Sequence, residues 1–279
     1  MTKIQWYPGH MAKAKKEISE KLKYVDIIYE IIDARAPLSS HNPMLDSMIN
    51  KKPRLLILNK ADLADKNMTN KWIKYYESKG ISAICLDSKH YFDFDEVYSK
   101  TKKILKDKIN KLMSKGLKRP NIKAMCVGVP NVGKSTFLNK IVNKKIARTS
   151  NLPGLTKKQQ WLKSDKNLFL LDTPGILWPS FDNEITGIKL SLINVISETI
   201  YNYLDLSVFL IDFMKKNYIQ FLNRYYTVDI NMSSYDILLF LSKKYGLTND
   251  YENFSKKIVM KFRRGKLGNI TLDNLINFI

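Results

Sequence analysis

Short apolar runs alternate with helix-spaced apolar patterns through the first two thirds of the chain. The apolar runs predict strands near residues 25–33, 54–59, 81–87, 122–127 and 167–172. The stretches between them predict helices at about residues 44–51, 66–79, 94–115 and 134–143. Regular alternation of strand and helix favours an α/β fold with a mostly parallel, doubly wound sheet.

The pattern changes after residue 179. Residues 184–279 carry apolar side chains at helical spacing and little strand signal, which predicts helices without a sheet. We therefore divide the chain into an α/β domain, residues 1–180, and a small all-helical domain, residues 181–279.

The composition is that of a folded protein. Of 279 residues, 44% are hydrophobic and 11% aromatic, too many for a disordered polycation. Two cysteines exclude a disulfide framework and suit a reducing compartment. No apolar run reaches the roughly 20 residues that cross a bilayer, and the first residues lack the apolar core of a signal peptide. We expect a cytoplasmic protein that does not associate with membranes.

The charge is strongly positive and unevenly placed. The net charge is +21, and residues 102–158 hold 16 Lys or Arg against the single acid Asp107. The lysine-rich composition, 40 Lys against 7 Arg, is also what a drift toward AT-rich codons would produce. Such drift does not explain why most of the excess lies in one part of the chain. The location favours a surface for nucleic acid or another polyanion.

Residues 128–135, Gly-Val-Pro-Asn-Val-Gly-Lys-Ser, match the phosphate-binding pattern G-x-x-x-x-G-K-[ST]. They follow a predicted strand and open a predicted helix, which is the context that this P-loop motif requires. In such a turn, backbone N–H groups converge on phosphates at a helix N-terminus. Lys134 would pair with the β- and γ-phosphates, and the Ser135 hydroxyl would bind Mg²⁺. The alternative is a chance glycine turn.

The segment Asp-Thr-Pro-Gly at residues 172–175 also follows a predicted strand. Asp172 would hold Mg²⁺ through water, and the Gly175 backbone N–H can approach a γ-phosphate because no side chain intervenes. Alone, the tetrapeptide is a common Pro-Gly turn. The P-loop earlier in the chain favours the nucleotide-binding interpretation.

A third motif, Asn59-Lys60-Ala61-Asp62, ends another predicted strand. A carboxylate there can accept hydrogen bonds from the N1–H and N2–H₂ groups of guanine, and adenine lacks that pair of donors. Asp62 therefore indicates GTP rather than ATP. Asp87 and Ser88 follow the next strand and are placed to complete the base pocket with backbone N–H groups. A polar strand-to-helix turn is the alternative for residues 59–62.

The order of these motifs differs from that in ordinary GTPases. The pieces resemble those of translation-factor-type GTPases, in which N-K-x-D comes last, but here it precedes the P-loop. The chain is thus similar to a circularly permuted GTPase, which is physically tolerable because such motifs lie on loops at the carboxyl ends of parallel strands. One hypothesis follows: residues 176–180 lead directly into the helical domain, so nucleotide state could reorient that domain.

Six segments together resemble one family, ribosome biogenesis GTPase A (RbgA, or YlqF). They lie at residues 6–11, 33–37, 59–62, 130–136, 153–156 and 172–178. The resemblance implies a GTPase that is stimulated by the large (50S) ribosomal subunit and acts late in its assembly. The implied partners are a large-subunit precursor, its rRNA and ribosomal proteins, with rRNA bound in a GTP-dependent manner by a helical C-terminal domain. Away from the ribosome we expect a monomer.

The same resemblance assigns residues and cofactors. Thr156 becomes the switch I threonine that closes on Mg²⁺ and the γ-phosphate, although an ordinary loop threonine is the alternative. Asn131 becomes a group that recruits K⁺ beside the phosphates, where a monovalent cation supplies the charge of an arginine finger. The implied cofactors are GTP or GDP, Mg²⁺ held by Ser135, Thr156 and Asp172, and K⁺. The phosphate-binding set is Asn131, Val132, Gly133, Lys134, Ser135, Thr136 and Gly175.

The group that orients the attacking water is the open question of catalysis. Many GTPases place a glutamine after D-x-x-G, but this chain has Ile176. His10, in a Gly-His segment able to swing in, is our candidate, which gives a catalytic set of His10, Lys134 and Thr156. Alternatively, His10 caps a helix starting at Met11 or contacts RNA. We expect His41 and His90, which have no partners at motif spacing in the sequence, to be surface residues, and we expect no zinc site.

Two questions about RNA stay open at this stage. The basic residues of 256–266 either dock an RNA backbone or form the solvated face of a helix. As a whole, we interpret the chain as a ribosome assembly GTPase. The two rival hypotheses are a nucleotide-gated RNA-binding module for which hydrolysis is incidental and a GTPase serving RNA modification or membrane transport.

Overall fold

The computed structural model describes residues 8–49, 52–143, 161–178, 181, 183–196, 200–247 and 250–275, with the backbone alone for residues 8–12 and 14. The strands are β1 (Ile27–Asp33), β2 (Arg54–Asn59), β3 (Ser82–Leu86), β4 (Ile122–Val127), β5 (Trp161–Lys163) and β6 (Leu168–Asp172). The helices of the first half are α1 (Pro8–Leu22), α2 (Pro43–Ile49), α3 (Lys66–Ser78), α4 (Phe94–Ile104), α5 (Lys106–Met113) and α6 (Lys134–Ile141). Those of the second half are α7 (Glu184–Leu192), α8 (Tyr203–Asn217), α9 (Ile219–Tyr226), α10 (Ser234–Lys244) and α11 (Tyr251–Arg263).

The six strands form one sheet in the order β3-β2-β1-β4-β6-β5. Five strands are parallel to one another: β3, β2, β1, β4 and β6. The edge strand β5 pairs with β6 in the antiparallel direction. Every residue of β1 is buried, as expected of a central strand covered by helices on both faces. The predicted α/β class with a mostly parallel sheet is confirmed.

The strand order reverses between β1 and β4. From β1 the chain builds outward through β2 and β3, then returns to add β4 and β6 on the other side. In doubly wound sheets the crevice at such a reversal, beyond the carboxyl ends of the strands, is the usual ligand site. The P-loop segment, residues 128–135, follows β4 and therefore lies at this crevice.

Side-chain caps begin most of the helices after the sheet. Asn202 accepts a hydrogen bond from Asp205 N at the start of α8, and Ser233 accepts one from Asp236 N at the start of α10. Such caps satisfy backbone N–H groups that have no partner inside the helix. The predicted helical character of the second half is confirmed.

Three local features differ from the sequence prediction. The predicted helix at 94–115 is broken at Leu105, which is buried and non-helical between α4 and α5. Hydrophobic periodicity does not reveal the break, because it interrupts the helix at a single residue. The short edge strand β5 was not predicted, since three residues give too little pattern. Helix α1 begins at Pro8 rather than at Met11, so His10 lies within its first turn and not in a free segment.

The two halves share a continuous core. One cluster of buried side chains runs from β1 and α6 into the second half, with Tyr29 and Phe137 in the first half and Leu190, Leu206 and Phe262 in the second. Leu275, near the end of the chain, is buried in a cluster with residues of β2 and α3. The boundary near residue 180 stays a prediction, and any such division cuts through these contacts.

Candidate nucleotide site

Five strand ends meet at one edge of the sheet, and each carries one piece of the site. In spatial order, β3 leads to Asp87 and Ser88, β2 to residues 59–62, β1 to Asp33, β4 to residues 128–135 and β6 to Asp172. Because parallel strands end on the same side, segments far apart in the chain become neighbours.

Two glycines let the P-loop pack tightly on its neighbours. Gly128 has φ 148°, and a Cβ there would lie 2.2 Å from the carbonyl oxygen of Ile31 in β1. Gly133 has φ 101°, and its Cβ would lie 2.2 Å from Asn59 Nδ2. The Asn59 amide instead donates to Val132 O at 2.7 Å. Any side chain at either glycine would push the loop away from the base-side strands.

Lys134 is the first residue of α6 and is buried. Its Nζ donates to the carbonyl oxygens of Gly128 at 3.1 Å and Val129 at 2.8 Å, which holds the ammonium over the loop. Burial lowers the pKa of Lys134 to about 8. An oxyanion at the loop would meet this charge and the N–H groups of the first turn of α6; Ser135 and Thr136, both half-buried, lie in that turn.

Asp172 ends β6 as a buried carboxylate. The residue is 2% exposed, and its Oδ1 has no hydrogen-bond partner among the described residues. Burial raises the pKa of this carboxyl, although the Lys134 ammonium acts in the opposite direction. A buried carboxylate oxygen without a donor is costly, so this atom fits a site for a cation or a cation-bound water.

The segment that follows β6 lies directly on the P-loop. A Cβ on Gly175 would lie 2.8 Å from Pro130 Cα and 3.1 Å from Lys134 Nζ. The next residue, Ile176, is buried and donates its N–H to Gly128 O at 3.2 Å. Only glycine allows this approach, so the segment is placed to respond to whatever the P-loop binds.

On the base side, one asparagine joins three loops. Asn59 donates to Val132 O in the P-loop and accepts from Ser88 N at 3.2 Å. Its neighbour Lys60 has φ 60° and donates from Nζ to Asn131 O at 2.6 Å. These bonds fix the turns after β2, β3 and β4 relative to one another. Ala61 follows in a 3₁₀ turn, Ala61–Leu63, that also contains Asp62.

Asp62 and Asp87 lie close together with a histidine between them. His90 Nδ1 lies 3.0 Å from Asp87 Oδ2 and 3.5 Å from Asp62 Oδ2. Burial and the charge of Asp87 raise the pKa of Asp62. For Asp87, burial acts to raise the pKa, but hydrogen bonds from the backbone N–H groups of His90 and Lys89 lower it. His90 is exposed, as expected, and its ring nitrogen lies near both carboxylates.

A buried ion-pair network supports this side from β1. Arg35 donates to both carboxylate oxygens of Asp33, at 2.9 and 2.7 Å, and Lys60 Nζ lies 2.9 Å from Asp33 Oδ2. Burial alone would raise the pKa of Asp33, but the two cations hold it well below its usual range. In the sequence, residues 33–37 stand out only as part of a family resemblance. A carboxylate at the end of a strand that is apolar apart from Glu30 was the signal that could have identified the network.

Comparison with known proteins identifies the family. The profile of the family described as 50S ribosome-binding GTPase matches residues 123–244. Ribosome biogenesis GTPase A of Bacillus cereus is 42% identical over 276 residues, covering 97% of this chain and 93% of that protein. The chain belongs to the ribosome biogenesis GTPase A family. The protein of that name from Priestia megaterium is 41% identical, covering 97% of this chain and 96% of the relative.

The fold agrees with that of a solved structure. The crystal structure described as GNP-bound YlqF from T. maritima covers 94% of this chain and 98% of that chain, with a TM-score of 0.64 and 24% sequence identity. At this identity the likeness shows the fold alone. The curated relatives confirm the resemblance inferred from the six segments.

Some residues expected in a ribosome biogenesis GTPase A site lie outside the described residues. These are Thr156, the segment 153–156 that contains it, and Trp6. Of His10 only the backbone is described, within the first turn of α1. Asn131 is described: its Nδ2 donates to Asn194 O at 2.7 Å, a contact between the P-loop and the turn after α7.

Two expectations about charged residues need correction. His41 is not a free surface residue: Nδ1 lies 2.8 Å from Glu30 Oε1 and Nε2 2.8 Å from Asp46 Oδ2, with 12% of the side chain exposed. Arg263, counted in the basic run of the tail, is half-buried and donates to Ser191 O and Leu192 O. Sequence patterns do not reveal these contacts, because the partner residues belong to other helices and strands.

The described part of the chain contains one group of three His, Cys, Asp or Glu side chains with ligand atoms close enough to share a metal ion, formed by Asp62, Asp87 and His90. None of its described helices is long and apolar enough to cross a membrane.

Proposed function

We propose that this chain, a GTPase of the ribosome biogenesis GTPase A family, binds GTP at the shared strand edge and hydrolyses it during assembly of the large ribosomal subunit. The observation that carries the proposal is the convergence of the P-loop, the Asn59–Asp62 loop and the segment after β6 at one edge of the sheet. The names of the relatives and of the matching profile supply the ribosomal context. Acting late in that assembly is part of the same proposal.

Guanine is recognised by the loops after β2 and β3. Asp62 accepts from N1–H and N2–H₂ of the base, and the loop residues Asn59, Lys60 and Ala61 form its wall. Ser88 N is bonded to Asn59 Oδ1, which supports a fixed position for the Asp87–Ser88 turn that completes the pocket. Since adenine cannot offer two donors to a carboxylate, this arrangement favours GTP and GDP.

The phosphates are bound by the P-loop and the start of α6. The backbone N–H groups of residues 131–136 surround them, Lys134 neutralises charge, and Gly175 N–H contacts the γ-phosphate. The lowered pKa of Lys134 supports this assignment, because an anion bound there would stabilise the buried ammonium.

Mg²⁺ fits the residues present. The buried Asp172 oxygen without a donor and the Ser135 hydroxyl are hard oxygen ligands of the kind that Mg²⁺ takes, and Thr156 is proposed as a third. When bound, the ion supplies charge that stabilises the phosphates. Loss of tight GTP binding on chelation with EDTA, with no further effect of EDTA in Asp172→Asn, tests this assignment.

Water attack on GTP is aligned by His10 in this proposal. Ile176 is apolar, buried and held by a backbone bond to Gly128 O, so the residue after Asp-Thr-Pro-Gly cannot orient water. His10→Ala is expected to lose most ribosome-stimulated turnover while keeping GTP affinity. Unchanged stimulation would contradict the catalytic role and favour a capping or RNA-contacting one.

K⁺ beside the phosphates is the second catalytic element that we propose, with Asn131 as the protein group. The Asn131 amide donates to Asn194 O, which supports a fixed orientation of the side chain. A cation there would compensate charge that develops on the phosphates during hydrolysis. Equal turnover in KCl and NaCl at matched ionic strength would contradict this step.

The ribosome-facing surface in the proposal is the lysine-rich side of the GTPase half. Its residues in α4, α5 and the following loop are exposed: Lys102, Lys103, Lys106, Lys108, Lys111, Lys115, Lys118 and Arg119. Exposed cations arranged along a helix suit an rRNA backbone. On α11, Lys256, Lys257 and Lys261 are exposed while Phe254, Ile258 and Phe262 are buried, so the tail offers a second cationic face.

One experiment tests the whole function. GTP turnover is measured with and without purified large ribosomal subunits, in K⁺ and in Na⁺. The proposal expects turnover to rise with subunits and with K⁺, and subunit binding to weaken steeply with salt. Turnover indifferent to subunits would contradict it. Normal release from pre-ribosomes when hydrolysis is blocked would instead favour a nucleotide-gated RNA-binding module.

A further inference from the structure

Residues 265–275, here called the C-terminal segment, pack against the loop that leads from β2 to α3. Gly265 has φ 69°, and a Cβ there would lie 2.8 Å from Leu63 Cδ2. At the other end of the segment, Leu275 is buried in the same cluster as Ala64. Leu63 and Ala64 are the two residues after the proposed guanine acceptor, so the segment supports this loop from behind.

Thr271 makes a polar contact to the same loop. Its hydroxyl is buried and accepts a hydrogen bond from Asp65 N at 3.1 Å. The hydroxyl also lies 3.5 Å from Ala34 O, to which it donates. Asp65 caps α3 through its side chain, so Thr271 ties the start of α3 and the end of β1 together at the base side of the site.

Asp273 anchors the segment. The residue is fully buried, and its carboxylate accepts from Leu38 N, Ser39 N and Ser39 Oγ at 2.7–2.8 Å. Lys189 Nζ, on α7, lies 2.9 Å from Asp273 Oδ1. The Asp273 carbonyl accepts from Trp72 Nε1 at 3.0 Å. A carboxylate with this many donors is held in one place, and the segment with it.

The segment also reaches the ion-pair network under the guanine loop. Leu272 N donates to Arg35 O at 2.6 Å. Arg35 holds Asp33, and Asp33 holds Lys60, the second residue of the loop that contains the guanine acceptor. The C-terminal segment therefore contacts the guanine loop in two ways. It reaches Lys60 through this network, and it packs directly against Leu63.

We infer that the C-terminal segment positions Asp62 for guanine, with Thr271 as a positioning residue. The inference rests on the proposed role of Asp62 as guanine acceptor. A carboxylate that must meet two donors at once needs a fixed backbone, since a small displacement breaks one bond before the other. Loss of the Thr271 hydroxyl leaves Asp65 N–H without its acceptor and frees the loop next to Asp62.

The readout is the preference for GDP over IDP, because the base of IDP lacks the 2-amino group and offers Asp62 one donor instead of two. Dissociation constants for both nucleotides are measured by calorimetry on the full chain. The variants are Thr271→Val, Thr271→Ser and Asp62→Asn. The matched control is Thr101→Val, which removes a buried hydroxyl bonded to Tyr29 and Val97 on α4.

The inference expects the GDP preference to fall about fivefold in Thr271→Val, to recover in Thr271→Ser and to stay unchanged in Thr101→Val. Equal weakening of GDP and IDP in Thr271→Val, or a preference equal to that of the unmodified chain, would overturn it. If Asp62→Asn loses the GDP preference while Thr271→Val keeps it, only the positioning role fails. If Asp62→Asn keeps the preference, the guanine assignment itself fails, and the inference with it.

Discussion

On the base side of the strand edge, Asp33 and Lys60 form a buried ion pair, whereas on the phosphate side Lys134 Nζ donates to two backbone carbonyl oxygens and burial raises the pKa of Asp172. The Asp33 carboxylate has two cations within hydrogen-bond distance. The Asp172 carboxylate has one oxygen without a donor among the described residues.

The difference indicates two ways to build a binding site. A base is recognised by the direction of its hydrogen bonds, so the groups around it must already be rigid. Phosphate and a divalent cation bring their own charge, so the protein can hold a buried cation and a buried carboxylate whose electrostatic cost the ligand relieves. We therefore expect base-side substitutions to affect folding and phosphate-side substitutions to affect ligand binding.

The largest effect is expected for Asp33→Asn. The substitution leaves the buried Arg35 guanidinium and Lys60 without a charged partner, and removing one member of a buried ion pair costs about 3–5 kcal/mol. The free energy of unfolding is measured in urea without nucleotide. The control is Asp212→Asn, which breaks an exposed pair with Lys216 and should cost under about 1 kcal/mol. Equal losses would contradict the stabilising role of the buried network on the base side.

Next comes Lys134→Met on the phosphate side. We expect GDP affinity to fall by roughly 100-fold, because a charge-assisted contact to phosphate is lost, while stability without nucleotide is kept. The matched control is Lys140→Met, at the exposed end of the same helix. Calorimetry and urea unfolding on both variants separate binding from folding. A collapse of stability in Lys134→Met would contradict the comparison.

A smaller effect is expected from pH. Burial acts to lower the pKa of His41, but Glu30 and Asp46 raise it to about 9. A raised pKa in the folded state means that the stabilisation is complete below about pH 6.5 and is lost as pH rises toward 9. The free energy of unfolding should therefore decrease by about 2–3 kcal/mol across this window. In His41→Gln the slope should flatten; an unchanged slope would assign it to other groups.

The smallest effect, and the one with the opposite sign, is expected for Asp172→Asn. Because burial raises the pKa of this carboxyl, replacing it with a neutral amide should raise the melting temperature without nucleotide, by about 2 °C for a gain of about 1 kcal/mol. Differential scanning calorimetry checks this. A lower melting temperature would mean that Asp172 is satisfied by groups not considered above.

Local patterns predicted much of the fold because they record burial. The strand from 54 to 59 was predicted with its observed bounds. The bounds of β1, β3 and β6 were predicted to within two residues. The P-loop and the Asn59–Asp62 loop stand out because glycines and charged side chains follow apolar runs. What the patterns missed are partners from distant elements: His41 looks like any loop histidine until β1 places Glu30 beside it.

Taken alone, the sequence determined the fold class, the permuted order of the motifs and the family, because these depend on residue types at short spacing. Only the tertiary structure decided which charges are paired. The contacts of Asp33 with Lys60 and of Asp273 with Lys189 join residues far apart in the chain. Hydrophobic periodicity sets which face of an element is buried, but the sheet order and the packing of the C-terminal segment set which polar groups are buried together.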